Sequence, residues 1–448
     1  MPAGERKIPE PIVEPMTTAT ALQSPRERVS SRGAAGDPGE ASSVTRGWYR
    51  PARVRARALE FAAMKTTVGL AALSAVLAAL ACGAGAGQPG GDASVRINAG
   101  KGPGSLALAD LNGDGRLDLV VANDESGDVT VLLGDGKGGF APAPGSPFPA
   151  GKSPNDIAIA DFDGDGKPDL AFANHDTKYV TVLLGDGRGR FRPAPGSPVT
   201  VQSTPHPHGV AAADFDGDGH VDFAVESWAN DKVEVILGAG GGRFRTPGRL
   251  FGVGQMPYQK LRAGDVNGDG FPDIVTTNFE GGTVTVLLGD GKGGFREAPG
   301  SPFPAGLSPF ALALADVDRD GHLDLVVSNF EGHGGFTKRD AVNVLLGDGR
   351  GGFRAMKGSP FATGANPVAV AVGDVDGDGW PDVVTANMSG GDVTVLLGDG
   401  KGSFRPGVSR PAGKEPYRVA VGDVDGDGRA EIFVANHGSG DVTMLRYR

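Results

Sequence analysis

The sequence predicts an all-β fold, a seven-bladed β-propeller of four-stranded antiparallel blades, and three observations carry that prediction. The 448 residues include 75 Gly and 33 Pro, a density that suits many short strands joined by turns and disfavours helix interiors. Beyond residue 90 no stretch shows helical apolar periodicity. One acidic motif recurs seven times, starting at Asp110, Asp161, Asp214, Asp265, Asp316, Asp374 and Asp423, with spacings of 51, 53, 51, 51, 58 and 49 residues. That period is the length of one blade.

The second unit shows the elements in order. A short inner strand, Ile157 to Ala160, leads into the acidic loop Asp161 to Asp169 and a second strand Leu170 to Ala173. A polar loop precedes the third strand, Tyr179 to Leu184, and the turn Gly185 to Gly189 precedes an outer segment from Phe191. Inner strands such as Leu106 to Ala109 and Val368 to Val372 mix Ala with branched residues, and small side chains suit crowding around the axis. Third strands such as Val129 to Leu133 and Val393 to Leu397 are apolar and β-branched, as expected between neighbouring blades. The turns Gly134 to Gly138, Gly289 to Gly293, Gly347 to Gly351 and Gly398 to Gly402 supply the positive φ of tight hairpins. The seventh unit has no outer segment after its third strand, whereas Val95 to Lys101 aligns with the end of the first unit's outer segment, Phe148 to Lys152. The N-terminal strand at Val95 to Ile97 is therefore expected to complete the last blade and close the ring, leaving no free edges between the first and last units.

Four segments follow. Residues 1–63, rich in Pro, Arg, Ser and Gly with no apolar face, read as a disordered extension or an over-long start. Residues 64–81, from Met64 and Lys65 through the apolar run Val68 to Ala81, have the build of a signal peptide and are too short to span a bilayer. Residues 82–93 read as a flexible tether and 94–448 as the propeller. The string Ala78, Ala79, Leu80, Ala81, Cys82 resembles the lipobox of bacterial lipoproteins, with Ala79 where the commonest form has Leu; the resemblance implies lipidation of Cys82. Ala79 and Ala81 equally form a site for plain secretion. Both readings place the mature protein outside the cytoplasm, anchored at the bacterial envelope or secreted. Cys82 is the only cysteine, so no intramolecular disulfide forms.

Each unit carries the pattern D-x-[DN]-x-D-G-x-x-[DE]. The first holds Asp110, Asn112, Asp114 and Asp118; the second Asp161, Asp163, Asp165 and Asp169; the third Asp214, Asp216, Asp218 and Asp222. The fourth holds Asp265, Asn267, Asp269 and Asp273; the fifth Asp316, Asp318, Asp320 and Asp324; the sixth Asp374, Asp376, Asp378 and Asp382. The seventh ends in glutamate, with Asp423, Asp425, Asp427 and Glu431. Alternate acids in a tight loop converge on one point, and a hard cation with six to eight oxygen ligands, calcium before magnesium, relieves their repulsion. Plain Asp-Gly turns would leave that repulsion uncompensated, and an EF-hand needs flanking helices and a glutamate at the twelfth position. The loops hold 26 of the 54 acidic residues. Loss of residues 1–81 leaves the chain at a net charge of -15, which seven Ca2+ ions would bring to -1. An acidic chain, at -11 over its full length, argues against a nucleic-acid partner.

Residues 94–448 resemble the FG-GAP/VCBS repeat family, the propeller module also found at the head of integrin alpha chains and in many secreted bacterial proteins. The acidic loop, the apolar strand after it and the L-L-G-D-G-x-G-x-F segment, at Leu132 to Phe140, Leu287 to Phe295 and Leu396 to Phe404, carry the resemblance. The literal FG...GAP string is absent, which points to the bacterial VCBS-like variant and takes integrin ligands out of transfer. The resemblance implies the fold and up to seven Ca2+ ions.

In such blades the acidic loops and glycine hairpins share one face, and the loops of the opposite face vary between units. That face offers His206, His208, Trp228, Tyr258, Phe279 and Phe330 as ligand-binding candidates, together with Asn230, Met256, Glu280, Phe310 and an insertion from Glu331 to Asp340. Aromatics beside polar groups suit a glycan or a peptide, although the same side chains could simply cap blade interfaces. His206 and His208 suit a transition metal but show no third ligand in the sequence. No nucleophile elbow, zinc-protease motif or phosphate loop is present. The expectation is a monomeric, non-catalytic, calcium-stabilised binding or adhesion module for a glycan or protein ligand, touching membrane only through a lipid anchor. The alternatives are a polysaccharide-acting, lyase-like enzyme and a structural scaffold for envelope proteins.

Overall fold

The computed structural model describes residues 94–202, 206–227, 230–330 and 340–447. The leader, the signal peptide, the tether with Cys82, Trp228 and residues 331–339 of the insertion lie outside the described residues.

Among the described residues every regular element is a β-strand, and the strands form seven antiparallel sheets. Blade 1 runs from its inner strand Pro103–Ala109 through Asp118–Asn123 and Asp128–Gly134 to the outer Phe140–Pro142. Blade 2 repeats this with Pro154–Ala160, Asp169–Asn174, Tyr179–Gly185 and Phe191–Pro193. Each inner strand packs against the inner strand of the next blade, and that of blade 7 packs against that of blade 1. The chain is a seven-bladed propeller.

The most enclosed strands are the second ones, not the third. All six residues of Asp118–Asn123, Asp169–Asn174 and the equivalent strand of each other blade are buried. Large side chains on them, Phe172, Phe223 and Phe433 among others, fill the space between blades.

The outer strand departs from a simple fourth strand. In blades 1, 2, 4, 5 and 6 it is split into two pieces that both pair with the third strand, as Phe140–Pro142 and Phe148–Pro149 do in blade 1. Prolines without an N–H occupy the break, and a serine replaces part of the missing ladder. Ser146 Oγ accepts the Val131 N–H at 2.9 Å, and Ser197, Ser301 and Ser359 do the same for Val182, Val286 and Val344.

The closure strand is present. Val95–Asn98 pairs antiparallel with the third strand of blade 7, in the register Val95 to Met444 and Asn98 to Asp441. Arg96 forms an ion pair with Asp441 across this seam. Asn98 thereby takes the place that Pro149 holds opposite Asp128 in blade 1, so the N-terminal strand supplies the second piece of an outer strand and not its first.

Candidate functional site

The acidic loops are shaped by their own side chains. In blade 2, Asp161 Oδ1 accepts the N–H groups of Gly164 and Asp165, and its Oδ2 accepts that of Gly166 at 2.7 Å. Gly164 and Gly166 adopt φ of +80° and +83°, which lets the backbone turn around the first aspartate. Asp163 and Asp165 cap the next turns through the N–H groups of Asp165 and Lys167. The ninth residue, Asp169, is fully buried. Its Oδ2 accepts the Phe162 N–H at 2.8 Å, and its Oδ1 accepts the Gly185 N–H at 2.7 Å. One carboxylate therefore ties the loop to the glycine hairpin of its own blade. A Cβ on Gly185 would lie 2.2 Å from the Pro168 carbonyl oxygen, which explains the glycine of the L-L-G string. The same clasp recurs through Asp118, Asp222, Asp273, Asp324 and Asp382.

The hairpins and the acidic loops share one face, as expected. Gly241 and Gly242 in blade 3 donate to the carbonyls of Asp163 and Phe162 in blade 2, and Gly293 in blade 4 donates to Phe215 in blade 3. Gly351 in blade 5 donates likewise to Val266 in blade 4, so three hairpins brace the loop of the preceding blade.

In at least four loops three acids each place an oxygen within 4.8 Å of the others, among them Asp161, Asp163 and Asp169; Asp214, Asp216 and Asp218; Asp316, Asp318 and Asp320; and Asp374, Asp376 and Asp382. Burial pushes the carboxyls of Asp169, Asp222, Asp324 and Asp382 up to about 7 and that of Asp273 to about 6. Repulsion from neighbouring loop acids adds to the rise. Clustered oxygen donors whose negative charge is only partly offset, by Lys167 at Asp165 and by Arg245 at Asp216 and Asp218, fit a hard divalent cation. Other loops carry neutralising groups of other kinds. Asn112 Nδ2 donates to Asp114 and Asn267 Nδ2 to Asp269, while in blade 7 Arg446 pairs with Asp425 at 2.8 Å and with Glu431 at 3.2 Å.

The opposite mouth contains groups that the sequence reading missed. Every inner strand begins at a proline and then slips register against its neighbour. The slip passes over one residue in most blades, but over His208 and Gly209 in blade 3, and over Tyr258, Gln259 and Lys260 in blade 4. Such bulges re-aim side chains. Lys260 is ion-paired to the fully buried Asp156, and Arg262 Nη1 lies 3.9 Å from the same carboxylate. That pairing joins blades 2 and 4, a reach possible only around the axis. Buried Glu226 accepts the Thr276 hydroxyl, and its Oε1 has no hydrogen-bond partner among the described residues. Burial pushes the Glu226 carboxyl up to about 8 and the Lys260 ammonium down to about 7. Arg418, from blade 7, lies with its guanidinium 4.6 Å from the Tyr417 ring. The signal was available in the repeat alignment. Asp156 and Arg418 stand where other blades carry Ser105, Ala311 or Ala369, and Glu226 stands where they carry Ala or a small hydroxyl residue.

Of the predicted ligand residues, Tyr258, Phe279 and Phe330 lie in one aromatic cluster with Phe310. Ring centroids are 5.3 Å apart for Tyr258 and Phe310 and 5.0 Å for Phe310 and Phe330. Phe310 is buried, whereas Tyr258, Phe279 and Phe330 are half-buried. His208 joins this cluster through Tyr258, at 4.4 Å, and burial holds its imidazole well below the ordinary pKa and hence neutral. His206 lies beside His175 and Asp176 of blade 2.

The FG-GAP-like repeat family matches residues 110–172, 161–225, 265–327, 335–385 and 374–434, which together span more than half of the chain and include all seven acidic loops. No curated protein is significantly similar to the chain. Among solved structures, a protein from Lactobacillus plantarum is 18% identical with a TM-score of 0.52, the match covering 72% of this chain and 88% of that one. BBS1N, solved in complex with ARL6DN, is 15% identical with a TM-score of 0.51, covering 80% and 96%. A lectin from Agrocybe aegerita that recognises non-reducing terminal N-acetylglucosamine is 21% identical with a TM-score of 0.43, covering 71% and 80%. At these identities the likeness is one of fold.

Proposed function

Starting from the fact that this chain belongs to the FG-GAP-like repeat family, we propose that it is a calcium-stabilised, extracytoplasmic binding module without catalytic activity. Its ligand is a glycan or a protein, engaged at the mouth opposite the acidic loops. The observation that carries this reading is the division of labour between the two faces. On one, the clasps repeat almost unchanged and the acids are tied into turns. On the other, the half-buried aromatics Tyr258, Phe279 and Phe330 meet residues peculiar to single blades.

The first, third, fifth and ninth residues of each loop would hold the calcium. When bound, the ion neutralises the buried carboxylates and links the loop to the second strand through the ninth acid. The placement outside the cytoplasm rests on the signal-like run ending at Cys82.

A glycan array probed with the full chain tests the ligand face. Binding that falls at least about tenfold in Tyr258→Ala and Phe330→Ala, with folding intact, is the expected result; aromatic anchors at binding sites typically contribute 1.4 kcal/mol or more. Binding that survives both changes would move the ligand elsewhere.

A second reading, a polysaccharide-acting enzyme, draws on the axial groups. A carboxyl raised to about 8 beside an ammonium lowered to about 7 is the kind of perturbation that catalytic acids and bases show. Polysaccharide turnover abolished by Glu226→Gln would favour it over the binding module.

A further inference from the structure

We propose that His175, Asp176 and His206 form a binding site for a divalent transition-metal ion, zinc in the first instance, with His208 as the buried imidazole beside it. The site lies on the mouth opposite the acidic loops and does not depend on what those loops bind.

The sequence offered only His206 and His208, which lie two residues apart on one segment. Folding adds a second segment, the loop after the second strand of blade 2. Asp176 Oδ1 is 2.8 Å from His206 Nδ1 and 3.4 Å from His175 Nδ1, so one carboxylate stands between two imidazoles. All three residues can place a ligand atom within 4.8 Å of the others. The His175 and His206 rings are 4.9 Å apart between centroids.

An independent observation comes from His208. It is 1% exposed, and neither ring nitrogen has a hydrogen-bond partner among the described residues. Its ring centroid lies 4.5 Å from that of His175 and 6.4 Å from that of His206. Leaving a buried polar group without a partner is costly, and such a group needs an explanation. A metal held by His175, Asp176 and His206 would stand beside this imidazole, and a rotation of the ring toward it would give one of those nitrogens a partner.

The donor set determines the class of ion. The acidic loops offer oxygens alone and suit a hard cation, whereas two or three imidazole nitrogens with one carboxylate suit zinc, copper or nickel. The half-buried His175 and His206 and the exposed Asp176 leave an entry path from solvent. The two faces therefore differ in the chemistry of the cation they select.

The test uses the full chain in excess CaCl2, which keeps the acidic loops filled, titrated calorimetrically with ZnCl2. A single zinc site is expected, weakened about tenfold or more by each of His175→Gln, Asp176→Asn and His206→Gln, by analogy with the loss that even outer-shell changes cause. CoCl2 in place of zinc should give visible absorption bands that the same variants lose. Absence of zinc binding, or zinc binding unchanged in His175→Gln and His206→Gln, would overturn the proposal. Should a variant not fold, the unaltered chain decides. Zinc should protect His175 and His206 from diethyl pyrocarbonate in peptide maps, and equal modification with and without zinc refutes the site.

Discussion

The ninth residue of each acidic loop carries more structural weight than its place in the motif suggests. Asp273 is buried, accepts the N–H groups of Val266 at 2.9 Å and Gly289 at 2.8 Å, and so holds loop and hairpin together. A Cβ on Gly289 would sit 2.4 Å from the Pro272 carbonyl oxygen. Gly289→Ala should therefore destabilise the chain by about 1–3 kcal/mol in urea denaturation, the range for extra volume forced into a close-packed site. The raised carboxyls make a second prediction. Each is protonated more readily folded than unfolded, so the stability it lends is complete below about pH 4 and is lost as pH rises through about 7. With chelator present the melting temperature should fall between pH 5 and pH 8. Calcium, which binds the ionised form, should reduce or reverse that fall. A chelated chain that melts higher at pH 8 contradicts the burial account.

Among the acidic loops, the seventh holds the least exposed of the basic groups paired to loop acids, Arg446, where Lys167, Arg245 and Arg405 reach theirs from solvent. Register aligns Leu445 of blade 7 with Leu132 of blade 1, so Arg446 replaces a leucine, and its guanidinium sits against Asp425 and Glu431. A resident positive charge competes with a cation for the same carboxylates. In a calcium titration followed by calorimetry, the seventh loop should be the weakest site, and Arg446→Leu should tighten it by roughly tenfold, about 1.4 kcal/mol. An unchanged weakest site would show that the arginine does not compete. Strand positions were legible because apolar, β-branched runs between glycine turns, repeated seven times, mark them directly. The broken outer strand was not, since Pro142, Pro144 and Pro147 signal interruption without saying that Ser146 would repair the ladder.

For the molecule as a whole, the ring depends on a seam between its two ends. Removing residues 94–98 should strip the outer strand from blade 7, lower the melting temperature and broaden the transition in calorimetry; an unchanged transition would show that the seam is dispensable. Repetition made the ring and its acidic loops readable, because seven copies reveal which positions are constant. The opposite mouth was hard to read for the converse reason. Asp156, Glu226 and Lys260 come from blades 2, 3 and 4, each is a singular departure, and only closure of the circle gathers them. His175 and Asp176 looked like ordinary loop residues until folding set them beside His206.

The closure strand also imposes an order of assembly. Arg96 waits for Asp441, 345 residues later, so the first strand of the ring stays unpaired until the last blade has been synthesised. Blades 1 to 6 can form from near neighbours, whereas blade 7 requires the longest contact the domain makes. The entropy of that closure grows only slowly with chain length, but the search for it is long. The same four-residue ladder that covers the third strand of blade 7 in the finished ring therefore leaves that strand uncovered throughout synthesis, and completion of the circle is expected to be the last step of folding, which a slow phase lost on deleting residues 94–98 would report.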